Sequence, residues 1–291
     1  MNPYVIMTDT TTDLPESYIR EHGLSILSLS YILEGETYDR EHPLDVKEFY
    51  AKMRSGSMPT TSQVNPEQAK AAMCACLEKG LDVLYIAFSS GLSGTYNSGR
   101  IAAEEIAEEG LFPERKVVVA DSLSASLGEG LLVHKAVMLK EAGKSFDEVA
   151  DWVEQNKLRI CHNFTVDDLF HLHRGGRVSK ATAILGTMMN VKPVLHVDDE
   201  GHLIAVGKVR GRKKSISALV DRMAEQLKGF EAENDVVFIS HGDCIEDVEY
   251  LKKLIQEKTG ISEFLVNYVG PTIGAHSGPG TLAVFFVGQP R

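Results

Sequence analysis

Cysteine is scarce in this chain, with four in 291 residues (Cys74, Cys76, Cys161 and Cys244). That is too few and too scattered for the disulfide framework of a small secreted protein. Basic residues are in deficit, 30 Lys plus Arg against 41 Asp plus Glu, for a formal net charge of −11. Such a chain lacks the positive field that holds nucleic-acid backbones. No apolar run approaches the roughly eighteen residues of a membrane-spanning helix. The opening residues MNPYVIMTDTTTDLP have neither the basic segment nor the long apolar core of a secretory leader. Together these absences point to a cytoplasmic protein with no nucleic-acid partner and no integral membrane association. What is present is ordinary globular material, 43% hydrophobic and 24% charged, able to bury a substantial core. At about 150 residues per domain the length favours two domains.

Strand-like apolar runs alternate with helical patterns, which places the chain in the α/β class. Residues 4–8 read as a first strand, and a helix starts near Pro15. Residues 24–30 and 31–38 read as extended, 44–54 and 66–78 as helices, and the polar stretch 55–65 between them as a loop. The clearest βαβ signature follows. Residues 83–88 form a continuous apolar run suited to a strand covered on both faces. The segment SSGLSGTYNSG at 89–99 then leads into a helix to about residue 109, and 116–121 is the next strand. A long helix spans 124–142, and Ser145 caps another through 155. Beyond residue 157, taken as the domain boundary, the texture changes. An extended segment at 159–165 precedes a basic glycine-containing loop, HLHRGGRVSK, at 171–180. Residues 191–197 and 203–209 flank a turn and read as a hairpin. A helix over 215–227 and a β-α-β-β series over 235–287 complete the chain.

Several segments carry candidate chemistry. A buried strand that ends in serines and glycines and enters a helix aims backbone N–H groups at an anion, and ligands of parallel α/β sheets bind at that end of the strands. Ser93, with Gly94 after it, stands at the helix start, where its hydroxyl either binds a carboxylate or phosphate or simply caps the helix. The spacing matches neither a Walker A loop nor GxGxxG, and GLSGT is one residue short of a GxSxG elbow. Thr61 and Ser62, in PTTSQVNP at 59–66, precede a helix and can converge with Ser93 on one anion. Asp9 and Asp13 flank a threonine run, and turn-capping by Asp13 outweighs metal binding. Asp121, at a strand end, is placed to buttress the Ser93 loop. His171 and His173 have HxH spacing without the second cluster a metal site needs. Arg174 and Arg177 present guanidinium forks in a glycine loop, and Arg210 lies in a second basic run, KVRGRKK at 208–214. GPTIGAHSGPG at 270–280 reads as a loop between strands, with His276 as hydrogen-bond donor or base. A serine hydrolase using Ser93, His276 and Asp121 is one alternative on these residues, and a binder of a small anionic metabolite is another.

TDTTTDLP, TSQVNP, SSGLSGTYNS, Asp121-Ser122, LHRGGRVS, VKPVL and HSGPG occur here in the order found in the DegV family, which the chain resembles along essentially its whole length. The resemblance implies two α/β domains, 1–157 and 158–291, the first a parallel-sheet α/β/α sandwich and the second a two-layer α/β domain with a mixed sheet. It implies a long-chain fatty acid held between them, its carboxylate at Thr61 and Ser93, with Ser62, Gly94 and His276 close by. It implies a carrier, not an enzyme by itself, that presents the acid to a separate ATP-dependent fatty acid kinase subunit. Arg174, Arg177 and Arg210 are the residues expected at phosphotransfer or docking, and neither a cofactor nor a metal is implied. The chain departs from the family's usual pattern in having threonines for serines in TDTTTDLP and no proline directly after Gln63. Both changes keep the hydroxyls and the helix start.

Overall fold

The computed structural model describes residues 2–177 and 190–291. The first half contains β1 (Tyr4–Asp9), α1 (Glu16–Glu21), β2 (Ser25–Leu27), β3 (Ser30–Leu33), β4 (Glu36–Tyr38), α2 (Val46–Arg54), β5 (Thr60–Ser62) and α3 (Pro66–Leu77). Next come β6 (Asp82–Ala87), α4 (Thr95–Glu108), β7 (Val117–Asp121), α5 (Leu127–Glu141) and α6 (Phe146–Asn156). The second half adds β8 (Ile160–Thr165), α7 (Phe170–Arg174), β9 (Val191–Val197), β10 (Leu203–Arg210) and α8 (Arg212–Gln226). It ends with β11 (Val237–His241), α9 (Ile245–Thr259), β12 (Phe264–Tyr268), α10 (Pro271–Ser277) and β13 (Leu282–Val287).

Strands β2-β1-β6-β7 form a parallel sheet in that order. Its alternating side chains serve two cores. Tyr4, Ile6, Leu84 and Ile86 face α5 and α6. Val5, Met7, Val83, Tyr85 and Ala87 face α3 and α4. A strand covered on both faces has no polar positions, which is why β1 and β6 read as unbroken buried runs. The helices carry the expected signals, since Asn65 and Ser145 both make complete capping boxes with Gln68 and Glu148.

The second sheet has the order β10-β9-β8-β13-β11-β12 and is antiparallel except for the β11–β12 pair, which α9 connects. One face (Cys161, Val194, Val237, Ile239, Val284 and Phe286) packs on α8 and α9. The other (Ile160, Phe164, Leu195, Phe238 and Phe285) packs on α5. A register shift between Ala205 and Gly207 inverts β10 midway. Leu203 and Ala205 therefore join the core around α5, and Val209 joins the core around α8. Helix α5 thus lies between the two sheets, and one hydrophobic core runs across both halves. A small third sheet, β4-β3-β5, packs on α2 and α10 through Tyr31, Leu33, Phe49, Tyr50 and Ala275.

Two expectations of the sequence are corrected. The segment 55–65 is not all loop, because Thr60–Ser62 pairs with β3 as an edge strand. The segment 270–280 contains a helix, α10. Its start is held from outside, since Tyr50 Oη donates to the Val269 carbonyl at 2.6 Å.

Close approach explains why α5 tolerates glycine in its first turn. A Cβ on Gly128 would overlap the imidazole of His162, whose Nε2 accepts the Ala125 N–H at 3.2 Å. Gly128→Ala is expected to lower stability by about 1–3 kcal/mol through overpacking. Urea unfolding should show this as a lower midpoint at unchanged slope.

Candidate functional site

Three elements bring the predicted hydroxyls and the histidine together. Strand β5 places Thr61 opposite Tyr31 and Ser62 opposite Ser30. Helix α10 carries His276, whose Nε2 is 2.8 Å from Thr61 Oγ1. At the start of α4 the N-cap is Gly94, which has no side chain to cap with, and Ser93 stands just before it. The Ser93 hydroxyl accepts the Thr95 N–H at 3.2 Å and bonds the Thr95 hydroxyl at 3.0 Å. Gln63 Oε1 accepts the Gly94 N–H at 3.1 Å and so ties the two loops. Asp121 braces the Ser93 loop from behind by accepting the Ser90 and Leu123 N–H groups, each at 3.1 Å.

These groups border a cavity of about 400 Å³. Thr61, Ser62, Gln63, Ser93, Arg177 and His276 are among its polar lining residues, and Ser62 and Gln63 are exposed. Phe88, Leu92, Phe164, Leu172, Val197 and Phe285 form an apolar lining, all of them buried. Leu92 and Phe88 come from the first sheet's loops, and Phe164, Val197 and Phe285 from the second sheet. Gly94 is absent from the lining, and its N–H is already engaged by Gln63.

Arg177 reaches the cavity wall by donating to the Leu92 carbonyl at 3.3 Å and the Gly175 carbonyl at 2.7 Å. Arg174 donates to Ala275 O at 3.1 Å, and its buried Nε has no partner among the described residues. Among the described residues no carboxylate pairs with either guanidinium. Burial first, and then the charges of Arg177 and Arg174, hold the imidazole of His276 down to about 4. At neutral pH His276 is therefore an uncharged partner for Thr61. Arg210 is exposed at the end of β10 and does not line the cavity. His171 and His173 lie on the short helix α7, not on a strand. Residues 178–180 of the basic loop lie outside the described residues.

The hydrolase geometry is not assembled here. Asp121 is committed to backbone N–H groups, His276 faces Thr61, and Ser93 is bonded to Thr95. Among the described residues the Ser93 hydroxyl hydrogen-bonds only Thr95, not the general base that nucleophilic catalysis requires.

The family model described as "Uncharacterised protein, DegV family" matches residues 3–289. The chain belongs to the DegV family. A DegV domain-containing protein of Clostridium perfringens is 42% identical to this DegV chain over 293 residues, covering 100% of this chain and 99% of its own. Among solved structures, a fatty-acid-binding DegV family protein of Thermus thermophilus is 32% identical, with a TM-score of 0.87 over 99% of this chain and 100% of that one. Bacillus subtilis DegV, described as a fatty acid binding protein, is 30% identical with a TM-score of 0.83 over the same shares. The fold is the DegV fold, a parallel-sheet α/β half joined to a half built on a mixed sheet.

Below the cavity this DegV chain buries three carboxylates that sequence reasoning placed only in a turn or did not single out. Asp9, not Asp13, caps the threonine turn; its carboxylate accepts the N–H groups of Thr11 at 3.0 Å and Phe88 at 3.1 Å and the Tyr85 hydroxyl at 3.1 Å. Glu129 accepts from Thr8 at 3.1 Å and Thr11 at 2.9 Å. Burial, reinforced by Asp9, pushes its carboxyl well above the usual range. Asp13 is raised to about 7, chiefly by burial. It accepts from Ser126 and from the Gly270 N–H at the head of α10, and it makes no cap for α1. Ser126, Ser240 and Ser277 also line the cavity. Ser126 ends the run Ser122-Leu123-Ser124-Ala125-Ser126 and Ser277 follows His276, but only the fold brings them to one cavity with Ser240. The buried Ser277 hydroxyl, next to His276 in sequence, has no partner.

Proposed function

We propose that this chain binds a long-chain fatty acid in the cavity between its two halves and presents the carboxyl group to a separate ATP-dependent kinase subunit for acyl-phosphate formation. The observation that carries the reading is a single cavity that combines hydroxyl, imidazole and guanidinium groups with buried aromatic and aliphatic walls. A carboxylate fits the first set and a hydrocarbon tail fits the second. The fatty-acid-binding DegV proteins of T. thermophilus and B. subtilis support the ligand class.

Magnitudes assign the two ends different work. Burying about fourteen methylenes at ~0.8 kcal/mol each contributes about 11 kcal/mol, against association costs of roughly 4–15 kcal/mol. The tail supplies most of the affinity, and the head group fixes orientation. Neutral hydroxyls and a neutral imidazole hold the carboxylate without closing it into an ion pair with lysine, which leaves an oxygen for a phosphoryl donor. Arg174, half-buried beside α10 with one N–H free, is the cation placed to meet that donor or the partner subunit.

Native mass spectrometry of the purified protein, followed by lipid extraction, tests the reading. A bound mass matching a fatty acid is expected, with affinity reduced about tenfold or more in Ser93→Ala by loss of one charged hydrogen bond. Arg174→Ala should keep the lipid and lose phosphorylation by the partner. An apo protein that takes up no added fatty acid would overturn the carrier function. Loss of lipid in Arg174→Ala would remove that residue from the transfer step.

A further inference from the structure

The cavity has a second polar patch that a carboxylate at Thr61 and Ser93 leaves unused. Ser126, at the head of α5, and Ser240, on β11, both line the cavity and are both buried. Their Oγ atoms are 2.9 Å apart. Ser126 also donates to Asp13 Oδ2 behind it, and Asp13 Oδ1 accepts the Gly270 N–H at 2.9 Å. A hydroxyl has one hydrogen and two lone pairs. The single Ser126 hydrogen serves either Asp13 or Ser240 at any moment. Ser240 Oγ has no other partner among the described residues, so hydrogen-bonding capacity beyond the Ser126 contact is open at the cavity wall.

The backbone singles out the same place. Ser126 sits at φ 55, ψ −145, a conformation that glycine adopts freely and other residues adopt only under constraint. Glycine there would relax the backbone and remove the hydroxyl. Position along the cavity follows from α10. Six residues separate Gly270, which is bonded to Asp13, from His276, which is bonded to Thr61. At a helical rise of ~1.5 Å per residue they are roughly 9 Å apart. The serine pair is tied through Asp13 to the end of α10 opposite the one that meets Thr61.

We infer that Ser126 and Ser240 form a hydrogen-bonding subsite for an oxygen on the acyl chain, and that the preferred ligands are fatty acids hydroxylated part-way along the chain. The inference rests on the fatty-acid reading above and names the ligand class within it. A plain hydrocarbon leaves that capacity unmatched. A chain hydroxyl, both donor and acceptor, satisfies it, and sites built around such a bond discriminate against the ligand that lacks it.

The test is titration of the full-length protein with stearate, 10-hydroxystearate and 12-hydroxystearate, in the wild type and in Ser240→Ala and Ser126→Gly. At least one hydroxystearate should bind about five- to tenfold more tightly than stearate, and the ratio should fall to about one in both variants. Stearate affinity should hold or rise. Melting curves of both variants, each expected to stay folded at the titration temperature, separate loss of the subsite from loss of the fold. Stearate binding as tightly as both hydroxystearates in the wild type overturns the subsite, as does a preference that survives both substitutions. Binding of none of the three acids overturns the fatty-acid reading itself.

Discussion

A chain carrying Thr61→Ala and Ser93→Ala together is expected to bind a long-chain fatty acid at least about a hundredfold more weakly than the wild type. Each hydroxyl would contribute about 1.5–3 kcal/mol as a hydrogen bond to a charged group, and two such losses exceed the roughly 2.7 kcal/mol of a hundredfold change. The tail's apolar contacts survive, so binding should weaken without vanishing. Thr61 is half-buried on an edge strand and Ser93 half-buried at a helix start. Removing Ser93 costs the α4 cap as well, about 1 kcal/mol. That is small enough for the double variant to stay folded through a calorimetric titration. Affinity within a factor of five of wild type would move the carboxylate away from these two hydroxyls.

The second large effect concerns pH. Asp13 ordinarily ionises near 3.8 and is raised to about 7 here, first by burial and then by Asp9, against the bonds from Ser126 and Gly270. A raised carboxyl favours the protonated folded protein. Its contribution is fully present below pH 4 and is lost as pH rises towards 7. Three units correspond to about 4 kcal/mol. Half-buried histidines act in the opposite direction: His134, His196 and His276 are each lowered to about 4, mainly by desolvation, and so remove stability as pH falls below 6.5. The Asp13 effect therefore has to be taken as a difference. Asn cannot ionise, yet it keeps an acceptor for Gly270 and an N–H for Ser126. Asp13→Asn should gain up to about 4 kcal/mol relative to wild type between pH 4 and pH 7.5, measured by urea unfolding at both values. Parallel pH profiles for the two proteins would show that Asp13 does not titrate in this window.

The fold was legible where one strand or one helix carries its own signal. Residues 83–88 are unbroken apolar sequence because β6 is covered on both faces. The α6 helix announces itself through the Ser145–Glu148 capping box. Helix α10 was hidden because Gly, Pro and Ser dominate its segment, and its start depends on Tyr50 and Asp13, more than two hundred residues away in sequence. Strand β5 was hidden because Thr60-Thr61-Ser62 is polar and pairs on one side only. In the cavity, the hydroxyls at 61, 62 and 93 stand out in sequence because they cluster in loops at element starts. Ser126 and Ser240 do not, because they are 114 residues apart and meet only once α5 lies against β11. Motifs in the sequence single out Thr61, Ser93 and His276, but the rest of the cavity wall is set by tertiary packing.

Helix α5 has a further consequence for how cargo gets in. Its side chains, Leu127, Leu131 and Leu132 among them, share one core with Ile6 and Ile86 on one side and with Phe164, Phe238 and Phe285 on the other. Swinging the two halves apart like a clamshell would tear that core open and wet it, at a cost in apolar exposure far above thermal energy. The hinge is in effect soldered shut. If the cavity holds the proposed ligand, exchange is expected to proceed by local movement of the segments that border it, without loosening the body of the protein.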